Sequence, residues 1–156
     1  MGCYMDFFLF AVIVAAMMVV FNTFVHYEVL STINIILPRL RMPHRAEVGV
    51  VILGAFVAHA LEISIYGLLY WASMTVFNMG TLQSSAPLDL LSCLYFSAET
   101  FTSLGFGDIT PAGPLRLIAA VEALNGLLLI AWSASFTYLS MERYWVTQRT
   151  DRSKVL

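Results

Sequence analysis

The sequence predicts an all-α membrane protein with three transmembrane helices and a short re-entrant helix between the second and the third. Three observations predict it. About 60% of the 156 residues are apolar and only 12% are charged, against roughly 25% charged in soluble domains. Three long apolar stretches recur along the chain, and mean hydropathy is +0.81. A shorter apolar segment, residues 88–101, lies between the last two. The same composition excludes an ordinary soluble enzyme. With 8 Lys+Arg, 10 Asp+Glu and a net charge of -2, there is no basic excess to hold nucleic acid. Cys3 and Cys93 give neither a metal-ligand spacing nor a disulfide framework and are expected to be free thiols.

The first stretch, residues 7–25, carries no charge. At about 1.5 Å per residue it approaches the roughly 30 Å hydrocarbon thickness of a bilayer. A cleaved leader would want Lys or Arg ahead of it, but Met1 to Asp6 offers only an acid, so the helix is expected to be retained. The second stretch, residues 48–77, holds His59 and a single formal charge, Glu62, and is long enough to span with tilt. The third, residues 117–141, has Glu122 as its only charge.

Residues 78–116 open with Asn78-Met79-Gly80 and Ser84-Ser85-Ala86-Pro87, both rich in breakers, and read as a loop. Pro87 suits a first helical turn, with Ser85 or Ala86 as its cap and Asp89 at the positive end of the dipole. The helix expected over residues 88–101 would cover roughly 21 Å. That is too short to cross a bilayer, and its sequence is too apolar for water.

Orientation follows from the basic residues. Arg39, Arg41 and Arg45 lie between the first two spans, and Arg143, Arg149, Arg152 and Lys154 follow the third, leaving Arg116 alone on the other side. The positive-inside rule then puts the N-terminus outside and the C-terminus in the cytoplasm of a multi-pass plasma-membrane protein. Residues 31–42, with Pro38 and two arginines, read as an interfacial connector.

The outer loop contains Thr102-Ser103-Leu104-Gly105-Phe106-Gly107-Asp108. This run resembles the potassium-channel signature T-T-V-G-Y-G-D, with Ser for the second Thr, Leu for Val and Phe for Tyr. Ser97-Ala98-Glu99-Thr100 looks like the end of a channel pore helix, Pro111 stands where the family often has a proline, and Gly126 falls where its inner helix often carries a hinge glycine. The resemblance covers residues 88–138, about a third of the chain, and is nearest to small prokaryotic potassium channels. It implies a homotetramer in membrane lipid that conducts K+ passively, with no cofactor beyond the permeant ion and no catalytic residues. It divides the chain into a first helix and connector (1–46), a pore domain (47–142) and a short basic tail (143–156). Four pore-helix C-termini, near Phe101 and Thr102, would then turn their negative dipole ends toward a central cavity.

The physical reason for the motif stands beside the resemblance. A cation leaving water needs its hydration shell replaced by oxygens, and backbone carbonyls supply them only if successive residues aim at one axis. Gly105 and Gly107 can take the positive φ values this demands. The resemblance implies that the ion-facing oxygens are the carbonyls of Ser103, Leu104, Gly105 and Phe106, with the Ser103 hydroxyl at the inner end. Thr to Ser loses a methyl that holds the rotamer, and Phe106 lacks a bracing hydroxyl. A weakly selective monovalent cation channel and a non-conducting subunit that keeps the pore fold therefore stay open as alternatives.

Glu99 and Asp108 match family positions where two carboxyls share a proton or a water, and Tyr95 adds its hydroxyl to such a network. Close like charges would raise one of the two pKa values. On the inner helix Leu127, Ile130, Ala134 and Tyr138 form one stripe that could line a cavity, with Trp132 and Phe136 competing for the constriction. Glu122 and Asn125 read as packing contacts against the pore helix. His59 and Glu62 are three apart and share a helix face, and His26 would meet them if the first helix runs on toward Pro38. Interhelical hydrogen bonding, proton sensing and metal binding are all open to them. Arg at every third position, the mark of a voltage sensor, is absent from the spans.

Overall fold

A computed structural model describes residues 2–39, 43–85 and 87–153. Arg41 and Met42 of the connector, Ala86 and Lys154 lie outside the described residues. In chain order the elements are α1 (Gly2–Ile36), α2 (His44–Thr75), β1 (Thr81–Ser84), α3 (Leu90–Phe101), β2 (Ile109–Ala112) and α4 (Leu115–Ser153). Among the described residues, three helices contain stretches long and apolar enough to cross a membrane: Phe7–Arg39, Ala46–Thr75 and Leu115–Glu142.

The first helix is longer than its uncharged stretch. Between Phe7 and Leu37 the sequence holds no Gly or Pro, so the ladder of hydrogen bonds runs past His26, Glu28 and Asn34. It ends in a 3-10 turn over Leu37–Arg39, where Pro38 cannot continue it. α4 likewise runs beyond residue 141 to Ser153, since a charge ends an apolar stretch but does not break a helix.

The cap of α3 also differs from expectation. Asp89, and not Ser85 or Ala86, is the N-cap: its carboxylate accepts from the Ser92 backbone N–H at 2.8 Å, while Ser92 Oγ accepts from the Asp89 N–H at 3.4 Å. This reciprocal capping box starts the helix at Leu90 and leaves Pro87 outside it. The Ser92 backbone N–H and the Ser92 hydroxyl, which donates to Asp89 Oδ1 at 2.7 Å, together hold the Asp89 carboxyl below its ordinary pKa.

The segment between α2 and α4 contains a two-stranded antiparallel ribbon that the loop reading did not anticipate. Thr81 pairs with Ala112 and Ser84 with Ile109. Leu82 and Ile109 turn inward and are buried. The ribbon ties the start of the loop to the segment after the Gly-Phe-Gly run, so that run is held at both ends.

Packing brings the helices around α3. Gly67 of α2 faces Leu94, whose Cα would lie 3.0 Å from a Cβ at that position, and Gly126 of α4 faces the Phe101 carbonyl at the end of α3. Missing side chains thus let both spanning helices close on the short one. Tyr66, Tyr70, Phe96, Phe101, Leu115, Ile118 and Leu129 fill the core between them. Tyr70 meets Phe96 edge-on at 5.0 Å. The outward faces remain apolar, with Val20 70% and Phe56 71% exposed, as helices facing hydrocarbon require.

Candidate functional site

α3 ends at Thr102, whose backbone N–H donates to Ala98 O at 3.2 Å and whose Oγ1 donates to the same carbonyl at 2.7 Å. Beyond it the chain folds back over Glu99. The Glu99 carbonyl accepts from Leu104 N–H at 2.8 Å and from Gly105 N–H at 3.3 Å, and its carboxylate Oε2 accepts from Phe106 N–H at 3.0 Å. Three consecutive amides therefore converge on one residue. No peptide bond among the described residues is cis, so each carbonyl here points opposite to the N–H of its own peptide unit. The carbonyls of Ser103, Leu104 and Gly105 consequently turn away from Glu99.

The backbone achieves this by alternation. Ser103, Gly105 and Gly107 have φ of 57, 57 and 79°, while Leu104 and Phe106 between them stay outside the positive-φ region. Alternating hands bring successive N–H groups to one side of a chain. The two glycines were legible as positive-φ positions; Ser103 was not, although counting back two residues from Gly105 gives it. Cβ atoms on Gly105 or Gly107 would meet nothing within 4 Å. Residues 102–108 are all exposed in a single chain.

Behind this loop Glu99 is buried, 4% exposed. Burial raises its carboxyl pKa; the Phe106 N–H partly offsets this, and the Asp108 charge adds to it. Each carboxylate of the expected pair has its own partner: Glu99 takes the Phe106 amide, and Asp108 accepts from Tyr95 OH at 3.4 Å. The Tyr95 ring also lies parallel to Phe106, 6.5 Å between centroids and 5° apart in plane.

A second carboxylate sits deeper. Fully buried Glu122 accepts from Tyr70 OH and from Ser97 Oγ, the latter at 2.6 Å, and Ser97 Oγ also lies 2.9 Å from the Ile63 carbonyl. This joins α2, α3 and α4, as the packing reading of Glu122 expected. The Asn125 amide donates to Tyr66 OH on α2 at 3.2 Å.

Gly126 lies within unbroken helix. Leu127, Ile130, Ala134 and Tyr138 are all exposed, opposite the buried line of Leu115, Ile118, Glu122, Leu129 and Ser133. Trp132 turns toward α1 instead, its ring 5.2 Å from His26. Because α1 does run on, His26 reaches the pair on α2: its Nδ1 is 2.8 Å from Glu62 Oε1, and His59 Nδ1 is 2.9 Å from Glu62 Oε2.

Three membrane-length helices around a short capped helix and its folded-back loop define a pore-loop membrane protein. Residues 47–141 match the ion channel family, and the chain belongs to it. It is accordingly not an enzyme. Over 63 residues it is 32% identical to the inward rectifier potassium channel Kirbac3.1 of Paramagnetospirillum magnetotacticum, covering 40% of this chain and 21% of that protein. Protein LctB of Bacillus caldotenax is 46% identical over 52 residues, 31% of this chain and 39% of that one. Protein LctB of Geobacillus stearothermophilus is 42% identical over 50 residues, 32% and 37% of the two chains. The chain thus spans from about a fifth to under two fifths of these relatives. No solved structure matches it significantly.

Proposed function

We propose that the chain forms a homotetrameric, potassium-selective channel whose filter is Thr102 to Asp108. The observation that carries this reading is the convergence of the Leu104, Gly105 and Phe106 amides on Glu99. It frees the Ser103, Leu104 and Gly105 carbonyls to face a common axis, where they replace the water around a dehydrating cation. One chain supplies one wall of such a site, and four copies in closed cyclic symmetry complete the ring. One of the relatives is itself named a potassium channel.

In this reading α2, α3, the filter and α4 form the pore domain over residues 47–142, with α1 and its connector outside it. Leu127, Ile130, Ala134 and Tyr138 line the cavity below the filter, and Gly126 lets α4 bend. Tyr95, Glu99 and Asp108 brace the filter from behind. The N-terminus lies outside the plasma membrane and the basic tail in the cytoplasm. Two measurements test the proposal together: the subunit count of the cross-linked protein, and K+ efflux from vesicles carrying it. Four subunits with K+ efflux exceeding Na+ efflux are expected; a monomer or dimer, or vesicles no leakier than empty ones, would overturn it.

A further inference from the structure

We propose that His26, His59 and Glu62 form a binding site for a divalent transition-metal cation of the zinc class, inside the membrane where α1 meets α2. One donor atom from each lies within 4.8 Å of the others. Two imidazoles and one carboxylate are a ligand set that zinc accepts with a fourth position left for water. Magnesium and calcium want more oxygens than this site offers. Metal–ligand bonds of about 2.0–2.1 Å in a tetrahedron put neighbouring donors about 3.3 Å apart. The short contacts run to different oxygens of Glu62, His26 Nδ1 to Oε1 at 2.8 Å and His59 Nδ1 to Oε2 at 2.9 Å, and the donors lie within 4.8 Å of one another, so seating the ion needs the widest pair to close by up to about 1.5 Å.

The surroundings fit a metal ligand as well. His26 Nε2 lies 3.3 Å from Ser133 Oγ on α4. With the proton on Nε2 donated to that hydroxyl, Nδ1 is left as the ligating lone pair, the arrangement that orients metal-bound histidines. Glu62 and His26 are fully buried, so the two imidazoles are the partners of the Glu62 oxygens, while His59 at 19% exposure leaves a way in. One turn before His26 on the same helix face, Asn22 is fully buried and its Oδ1 has no hydrogen-bond partner among the described residues. The bound ion ties α1, which lies outside the family match, to α2 directly and to α4 through Ser133. The site does not depend on which ion the pore selects.

The test uses the full chain in detergent micelles, loaded with Zn2+ or Co2+ and freed of excess ion. One metal per chain is expected, with the strong visible absorption of four-coordinate Co2+. Glu62→Gln and His26→Gln should weaken binding by about 100-fold or more, and Ser133→Ala by about 10-fold. His44→Gln, outside the cluster, should change nothing. Should a cluster variant fail to fold, the unaltered chain still decides: Zn2+ should raise its unfolding temperature, Mg2+ should not, and chelation should reverse the gain. Absence of retained metal, a six-coordinate Co2+ spectrum, equal stabilisation by Mg2+, or binding lost in His44→Gln but kept in His59→Gln would overturn the proposal.

Discussion

Glu99 holds three successive amides of the loop that follows it, two through its carbonyl and one through its carboxylate. The carbonyl contacts do not depend on the side chain, so side-chain changes act chiefly through the Phe106 amide. Glu99→Ala leaves the Phe106 N–H without its acceptor, at a cost of about 1 kcal/mol per subunit, and is expected to shorten the lifetime of the conducting state without preventing assembly. Single-channel records of the variant check this, and unchanged open times would contradict it. The carboxyl also carries a pH signature. Burial raises its pKa in the folded protein, so the native state holds its proton to higher pH than the unfolded chain does. Its contribution to stability is then full below the unfolded pKa and is lost as pH rises through the folded one. Thermal unfolding of the parent should therefore fall with rising pH relative to Glu99→Gln, and parallel profiles would refute the linkage. Gly105→Ala acts differently: at φ 57° with open space around the position, the cost is conformational, about 1–2 kcal/mol in each subunit. Loss of K+ current with an unchanged oligomer is expected on recording and sizing; normal conduction would remove Gly105 from the filter. Gly105 and Gly107 announce their conformation because glycine is the residue that tolerates it. Ser103 shares that conformation without announcing it, because its strain is imposed by the helix end and by Glu99.

At the scale of elements, apolar stretches located the three spans but not their ends. Hydropathy records where charges begin, whereas a helix stops where its hydrogen bonds do, which is why α1 runs to Ile36 and α4 to Ser153. The overrun of α1 brings His26 to Glu62, a contact visible in the sequence only as a condition. The β1–β2 ribbon was illegible because four residues are too few to show alternation and β2 contains Pro111. Two glycines in helices separate packing from propensity. Gly126→Ala would drive a methyl into the Phe101 carbonyl, overpacking that costs about 1–3 kcal/mol. Gly49→Ala meets nothing within 4 Å and should be neutral or stabilising by up to about 1 kcal/mol. Unfolding temperatures of the two variants in the same detergent check the contrast; equal shifts would mean that α3 and α4 are not in contact at Gly126.

For the whole molecule, the proposed channel would complete the exposed loop and the exposed stripe of α4 as one surface. Residues 102–108 stand in the open, resting on Glu99, Tyr95 and the Ser97–Glu122–Tyr70 network. In the proposed channel their carbonyls need facing carbonyls to hold an ion, and copies of the same chain would supply them. The class of the molecule was legible in the Thr102–Asp108 run and its place between two spans. The cluster between α1 and α2 was only half legible, since Ser133, which touches His26 from α4, lies 107 residues away in sequence. The most direct test of the central claim is the reversal potential of the purified protein in a planar bilayer under a tenfold K+ gradient, with Na+ balancing the ionic strength. Carbonyl-ring selectivity predicts reversal at about 59 mV toward the K+ equilibrium potential, the value for a tenfold gradient of a monovalent ion. Reversal near zero, with K+ and Na+ carrying current equally, would contradict it.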